Sequence, residues 1–563
     1  MPIDYQELKK VLKESELLTV EQIQDAQEKA LVGDMPLEQF LIDEEYISDE
    51  NLGQVIADIF GVPYMNLSQK QINDDVLRLI PEIVAKHQHV IAFDRGPAGI
   101  KLGMSDPDNE EIIQYIVKKT GEKVVPYYST PRDISEALIH YRRGLKEEFA
   151  DIIKQNVEAT RHADESGREL PATRIIDTIL EYAYQNKASD IHIEPHEKKV
   201  IIRYRIDGIL HDVVTLPKDV HPFIITRIKI IARLRTDEHR AAQDGRFDFL
   251  ADGNKVDVRV SILPIAEGEK VVLRILSEKS RQFNLSELGL NPTDLEKVEH
   301  ARNRPYGMIL ATGPTGSGKT TTLYAILKLL NTREVNISTI EDPVEYDVEG
   351  VNQIQVNTQT NLTFAKGLRS ILRQDPDIIM VGEIRDEETA AIAINSAMTG
   401  HLVLSTLHTN DAPTTLPRLF DMKIEPFLIA STVNVAIAQR LVRKIHQPCR
   451  ESYTPTADEL KTLVRIIGSE RAAKLGVQRE GYRLYRGKGC DLCSQTGYEG
   501  RIGIFEVMEI TEQIRTLIMR RANSDEIRRQ AVSQGMTTML DDGLAKVMAG
   551  ITSLEEVFRA SQE

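Results

Sequence analysis

A glycine-rich loop framed by a strand and a helix constrains this chain more than any other feature. Met308 to Ala311 form an apolar run able to make a buried strand, and Thr321 to Leu330 follow with a helical pattern. Between them Gly313, Pro314, Thr315, Gly316, Ser317, Gly318, Lys319, Thr320 and Thr321 fit G-x-x-x-x-G-K-[ST]. Glycines let the backbone wrap a phosphate with its N–H groups, and the start of the following helix adds a favourable dipole. In such a loop Lys319 reaches the β- and γ-phosphates, and the Thr320 hydroxyl sits on Mg²⁺. Strand before, helix after and the G-K-T ending argue against a chance Gly-rich turn. The implied ligand is a nucleoside triphosphate.

The next motifs place acids beside that loop. Ile337 to Ile340 read as a short strand, and Pro343 forbids its extension as a central ladder member. Glu341, Asp342 and Glu345 then fall on the turn at its end. Ile378 to Val381 read as a fully buried parallel strand delivering Glu383 to the same edge. In an open α/β sheet the nucleotide lies at the carboxyl ends of the strands, where these acids land. A further strand, Leu402 to Leu407, has a histidine at each end, His401 and His408.

These four boxes, in this order, resemble the secretion ATPase superfamily, and within it the type II/IV secretion ATPase family: the assembly motors of type IV pili (the PilB kind) and of type II secretion (the GspE kind). Ala188 to Pro195, Arg203 to Gly208, Gln243 to Arg246 and Val256 to Val260 resemble the domain that precedes the motor in that family, and Gly497 to Glu506 its C-terminal segment. The resemblance runs from about residue 170 to the end. It implies an α/β multidomain chain with a P-loop (RecA-like) motor domain at 286–440, preceded by an α+β (PAS-like) domain at 172–285. It implies a homohexameric, Mg²⁺-dependent ATP hydrolase driving pilin assembly through an inner-membrane platform protein, aided by a cytoplasmic adaptor. The pilus extension motor is the first reading and the type II secretion motor the second. Retraction motors of this superfamily are usually shorter, so the long N-terminal region argues against one.

Composition fits a multidomain enzyme: 563 residues suffice for three or four domains, and no apolar run approaches the ~18 residues a membrane-spanning helix needs. The amino terminus has neither a basic nor an apolar signal region, so no export signal is expected. Three cysteines in so long a chain point to a reducing compartment. The expected location is cytoplasmic, peripheral to the inner membrane through protein partners. A net charge of −16 and the lack of a long Lys/Arg cluster argue against nucleic acid as the partner, leaving a DNA-translocating motor as a remote alternative.

Residues 1–145 read as a mostly helical adaptor with a small α+β part from about 65. Two weakly similar segments begin at Leu8-Lys9 and Leu37-Glu38 and resemble the N-terminal domain of the PilB, GspE and related MshE ATPases, whose tandem copies bind cyclic di-GMP. The binding form has Leu-Gly where this chain has Leu8-Lys9 and Leu37-Glu38, and Glu16 and Glu45 stand near a later glycine position. Acidic side chains there repel a phosphate, so cyclic di-GMP is not expected and protein docking is. The polar stretch within 146–171 shows no apolar periodicity and is expected to be a flexible linker.

In the domain at 172–285, arginines on alternating strands face solvent or pair with acids as often as they act. The family resemblance makes Arg246 and Arg259 the expected fingers acting in trans on a neighbour's γ-phosphate, with Arg203 and Arg205 in reserve. In the motor, Glu341 is expected to orient the attacking water, with Glu345 close by, and Glu383 to act through Mg²⁺ or its waters. His401 and His408 are read as γ-phosphate sensors or as satisfied core histidines. Arg369 and Arg373, spaced i,i+4, meet a neighbouring subunit or solvent.

The remaining region, 441–563, carries a metal signature. Cys490 and Cys493 form a C-x-x-C, and His446 and Cys449 form an H-x-x-C with the same spacing. Two such pairs supply the four N/S ligands of a structural Zn²⁺. Family members often carry four cysteines here, and His446 changes the set to Cys₃His. A redox dithiol is the alternative for Cys490 and Cys493. A zinc-pinned, helical arm is expected after the motor.

Overall fold

The computed structural model describes residues 10–562 apart from 14–17, 20, 25, 28–36, 44–45, 68–69, 71, 139–140, 142–148, 150, 160–168, 252–253, 277–283, 475–476, 478–481, 491–492 and 494. The chain forms two compact units, Met1–Thr178 with Ile445–Glu499, and Ile179–Lys444 with Gly500–Glu563.

In the first unit the helix Asp49–Phe60 is capped by Ser48, whose hydroxyl accepts from Asn51 N–H, and ends at Gly61 in the left-handed region. Its Leu52, Val55 and Ile56 share an apolar core with Leu12, Ile23 and Leu41. A three-stranded sheet follows, with β1 (Val90–Gly96) antiparallel to β2 (Gly99–Met104) and β2 parallel to β3 (Val124–Tyr128). The parallel pair needs a crossover, which the helix Glu110–Thr120 supplies. Leu8, Lys9, Glu16 and Glu45, on which the repeat comparison turned, lie outside the described residues. The expected linker needs correction. Residues 151–159 are helical and Glu169–Gln185 is a second helix, with Phe149, Ile153 and Val157 buried. Four-residue spacing puts those three side chains on one helix face, a stripe that the polar composition conceals. Residues 160–168 of that stretch lie outside the described residues.

The second unit opens on a six-stranded antiparallel sheet of β4 (Asp190–Pro195), β5 (Lys199–Ile206), β6 (Ile209–Pro217), β7 (Gln243–Ala251), β8 (Asn254–Ile265) and β9 (Gly268–Leu276), in the order β6-β5-β4-β9-β8-β7. Alternation makes it two-faced. Ile191, Ile193, Val200, Ile202, Tyr204, Val258, Val260, Val271 and Leu273 are buried on one side. There the Tyr204 hydroxyl donates to Ile179 O at 2.7 Å, and Lys229 of the helix His221–Ile231 pairs with Glu269 at 2.7 Å. The other side is charged. One cross-strand row reads Arg246, Arg259, Arg274, Asp190, Arg205, each residue opposite the next. Like charges directly opposite are unfavourable, so the row depends on its counter-ions.

The motor is built on a seven-stranded sheet of β10 (Gly307–Thr312), β11 (Ile337–Glu341), β12 (Val351–Gln355), β13 (Ile378–Val381), β14 (Leu402–Leu407), β15 (Val433–Ile445) and β18 (Tyr498–Glu509), in the order β12-β11-β13-β14-β10-β15-β18. Strands β10, β11, β13 and β14 are buried at every position, as near-continuous apolar runs between helix layers should be. Between β15 and β18 the chain leaves the sheet to form the two-stranded antiparallel pair β16 (Arg450–Tyr453) and β17 (Leu484–Gly487). The stretch expected as one region, 441–563, is thus divided: Ile445–Glu499 groups with the N-terminal unit, while Gly500–Glu563 groups with the motor.

Glu194 illustrates how the charged face is held. Burial alone would raise its carboxyl, but hydrogen bonds from Arg203 and Lys270, at 2.7 and 2.9 Å, carry it down to about 2. A depressed carboxylate contributes stability above its unfolded value, which is lost as pH falls through the folded value. The wild-type chain should therefore lose stability between about pH 4.5 and pH 2. Glu194→Gln should flatten that part of the curve, measured as denaturation midpoint against pH.

Candidate functional site

Six buried residues of β10 run directly into the phosphate loop, paired in parallel with β14 on one side and β15 on the other. Gly313 and Gly318 have φ of 145° and 90°, a region that L side chains avoid. A Cβ on Gly313 would lie 2.5 Å from Gln439 O, so only glycine allows this approach of loop to β15. Gln439 Nε2 in turn donates to Ser317 O at 2.8 Å and fixes the loop from beneath. No side chain caps the helix Lys319–Leu330 at Gly318, which leaves its first N–H groups without a side-chain acceptor at the loop. Lys319 is buried and donates to Gly313 O and Pro314 O at 2.9 and 3.0 Å. Burial pulls its ammonium below the usual lysine range, and the nearby Glu383 carboxylate opposes that pull.

The two glutamates of the β11 turn sit in different surroundings. Glu341 is 2% exposed. It accepts hydrogen bonds from Tyr324, from Thr339 Oγ1 at 2.6 Å and from Gln353 Nε2 at 3.2 Å. Through the Tyr324 bond it ties β11 to the phosphate-loop helix. Glu345 is about one-third exposed and lies 3.2 Å from Arg259 Nη1. Tyr346 beside it packs edge-on against Tyr324, ring centres 4.6 Å apart, which fixes the turn.

The histidines separate as well. His408 follows β14 at its carboxyl end, and its Nε2 lies 3.3 Å from Glu383 Oε2. His401 precedes β14, and its carbonyl accepts from Gly307 N–H where β10 begins, at the end of the sheet opposite the phosphate loop. Its Nδ1 meets Ser396 O at 2.9 Å near the end of the helix Glu387–Met398. The strand between the two histidines is six residues, roughly 20 Å, so His401 does not share the site. Arg385, which the sequence reading did not single out, does: its Nε is 2.6 Å from Glu383 Oε2. Its signal was the arginine two positions after Glu383, on the same strand-end loop.

The arginines divide likewise. Arg203 pairs with Glu194, and Arg205 donates to Gly208 O at 2.8 Å and faces Asp190, so both reserves are occupied within their own sheet. Arg259 grips the β11 turn of its own chain, donating to Val344 O at 2.7 Å besides meeting Glu345. Arg246 is exposed and lines two open cavities of about 720 and 930 Å³ between the charged sheet face and the turn at Pro343 to Asp347. Arg369, on the helix Phe364–Ile371, pairs with Glu388 at 2.7 Å, whereas Arg373 lies in the turn after that helix and donates back to Arg369 O at 2.9 Å.

In the first unit His446, Cys449, Cys490 and Cys493 converge, with one ligand atom of each within 4.8 Å of the others. The Sγ atoms of Cys449 and Cys490 lie 3.9 and 3.7 Å from that of Cys493. His446 Nδ1 lies 3.3 and 3.4 Å from Cys449 and Cys490. Zn–S bonds of about 2.3 Å in a tetrahedron require S···S edges of about 3.8 Å, so the donor set fits Zn²⁺ and no disulfide is formed. Hydrogen bonds from Cys449, opposed by burial and assisted by His446 and the N–H groups of Cys490 and Gly497, hold the Cys493 thiol far down, toward thiolate. His446 Nε2 lies 3.5 Å from Glu499, the carboxylate that orients a metal-binding imidazole. Glycine permits the fold here too: a Cβ on Gly487 would lie 1.9 Å from Gly497 O.

A largely parallel sheet with a Gly-rich phosphate loop, acids and a histidine at one edge defines the class of P-loop nucleotide-binding motors. A sequence model described as Type II/IV secretion system protein matches residues 165–559, and one described as MshEN domain matches residues 60–148. A type IV pilus assembly ATPase PilB of Myxococcus xanthus is 38% identical over 561 residues, covering 98% of each chain. A type II secretion system protein E of Pseudomonas aeruginosa is 45% identical over 411 residues, 73% of this chain and 80% of its own. Among solved structures the Legionella pneumophila ATPase DotB shares the fold, with a TM-score of 0.50 and 24% identity over 68% of this chain and 94% of that one. The chain belongs to the type II/IV secretion system protein family. Among the described residues no helix is long and apolar enough to cross a membrane.

The hold of Arg259 on the β11 turn is testable by itself. Arg259→Gln should speed amide exchange across residues 343–346 at least tenfold in the nucleotide-free chain, read by hydrogen-exchange mass spectrometry. Unchanged exchange would show that the contact does not order the turn.

Proposed function

We propose that this chain is a cytoplasmic, homohexameric Mg²⁺-dependent ATP hydrolase that powers extension of a type IV pilus. The observation that carries the reading is the match to a pilus assembly ATPase over 98% of both chains, joined to an unbroken phosphate loop with acids beside it. The type II secretion motor stays as a second reading because the named secretion relative is the more identical, at 45%, over the part it covers.

Phosphoryl transfer requires positioning and charge neutralisation more than covalent chemistry. Residues Gly313 to Thr321 wrap the triphosphate, and Lys319 exchanges its loop carbonyls for phosphate oxygens. Thr320 and Glu383, directly or through its waters, would hold Mg²⁺, which when bound would neutralise charge on the phosphates. Glu345 takes the water-orienting role first assigned to Glu341, since it alone of the pair has a free approach to solvent. His408 and Arg385, both on Glu383, respond to the γ-phosphate. Arg246, and Arg259 once it leaves Glu345, serve a neighbouring subunit's nucleotide. His446, Cys449, Cys490 and Cys493 would hold a structural Zn²⁺. Movement of the 172–285 domain against the motor drives an inner-membrane platform protein, while residues 1–145 dock to a cytoplasmic adaptor.

Lys319→Ala should abolish ATP turnover and fail to restore surface pili, counted by electron microscopy, in a strain lacking the gene. Glu345→Gln should lower kcat by about 100-fold or more with KM within threefold, and Glu341→Gln should chiefly lower the melting temperature. Pili that persist in the deletion strain would move the search to secreted substrates, and turnover by Lys319→Ala would overturn the site. Metal analysis should find one Zn²⁺ per chain, lost in Cys490→Ser. Metal-free protein with a reducible Cys490–Cys493 pair would instead favour the dithiol.

A further inference from the structure

Beneath the phosphate loop lies a buried chain of hydroxyls that the roles above do not use. Thr312, fully buried, is the last residue of β10 and immediately precedes Gly313. Its Oγ1 lies 2.5 Å from Thr409 Oγ1 and accepts from Thr409 N–H at 2.9 Å. It also lies 3.1 Å from the carbonyls of Leu407 and Thr409. Thr409 follows His408 directly. Its hydroxyl, with one proton, has Thr312 Oγ1, Asp411 O at 3.1 Å and Thr415 Oγ1 at 3.2 Å within reach.

The far end of this chain is held by the C-terminal helices. Asp411 accepts from Thr414 through one carboxylate oxygen, and through the other from Arg528 Nη2 at 2.8 Å, on the helix Ser524–Ser533. Ala412 N–H donates to the buried Glu506 at 3.0 Å, whose second oxygen accepts from Met539 N–H at 3.4 Å. The loop that carries His408 is therefore gripped on one side by the base of the phosphate loop and on the other by the C-terminal helices.

We infer that Thr312 and Thr409 are positioning residues for nucleotide turnover: their hydroxyl pair sets His408 against the phosphate loop, and Asp411 with Arg528 passes the setting of that loop to the C-terminal helices. The inference rests on the ATPase reading above. Neither threonine touches the phosphates. They act by making displacement of Gly313 and displacement of His408 one movement, because a buried hydroxyl that loses its partner is costly. Thr409, with one proton and three acceptors, can also trade its bond to Thr312 for one to Asp411 or Thr415, so the chain has more than one satisfied arrangement.

The test is a set of double-mutant cycles on the full-length protein, reading steady-state kcat and KM for ATP. Thr312→Val and Thr409→Val should each lower kcat at least tenfold with KM within threefold. Thr312→Ser, which keeps the hydroxyl, should return kcat to within threefold of wild type. The Val/Val double variant should lose no more than threefold beyond the worse single. At the outer end, Arg528→Met should lower kcat and add little to Thr409→Val. Losses that multiply, a rise in KM with kcat intact, or failure of serine to rescue would overturn the inference. Should a valine variant fail to fold, Arg528→Met decides, since that guanidinium is 39% exposed and its loss leaves the core intact: unchanged kcat overturns the relay. Wild type that hydrolyses no ATP would defeat the ATPase reading instead. Amide exchange at 408–412 on binding a fluorescent ATP analogue would then decide the coupling, with no change counting against it.

Discussion

The nucleotide site depends on the seating of β10 between β14 and β15. Parallel pairing on both sides brings two strand ends and the middle of a third strand to one place: the phosphate loop from β10, the His408 loop from β14 and Gln439 of β15. None of these segments could hold its geometry alone. The loop has three glycines, Gly313, Gly316 and Gly318, in conformations that cost other residues energy, and its backbone passes too close to β15 for any side chain at Gly313. The central strand supplies the rigidity that such a loop lacks, since a buried, doubly paired strand moves only with its sheet.

Around that frame, charge is distributed by burial. Glu341, caged by Tyr324, Thr339 and Gln353, acts as a polar rivet in the core, whereas Glu345 and Glu383 stay at the margin, each with an arginine for company. The charged row on the neighbouring sheet follows the same logic. Asp190 faces guanidiniums on both sides, and Arg259 finds its counter-charge on the motor turn. Pairing at the margin is weak and exchangeable. Pairing in the core is fixed.

What the sequence disclosed follows this division. The loop, the strands leading into it and the convergence of His446, Cys449, Cys490 and Cys493 were legible because each is encoded by short spacing: glycine and lysine positions, apolar runs, and two His/Cys pairs three residues apart. The burial of Glu341 against the exposure of Glu345 was not legible, because it is decided by a tyrosine on one helix and a glutamine on an edge strand. His401 and His408 carry identical local signals, and only the length of β14 shows that they lie at opposite ends of the sheet. Arg259 read correctly as a strand arginine, yet its partner comes from 86 residues away. The helix at 151–159 is the opposite case. Phe149, Ile153 and Val157 had the spacing, and a polar surface hid it.

The excursion that holds the His446 cluster begins after β15 and returns as β18, and these two strands are neighbours in the sheet. Its two ends are thus anchored side by side, so the intervening segment can vary in length or ligand identity while the sheet order stays as it is. Such a segment is an exchangeable cassette. A histidine in place of a cysteine, or a longer turn between the ligand pairs, is a change that a lineage can try without re-registering the strands that carry the nucleotide. The sheet and this insert can for that reason change separately within one chain.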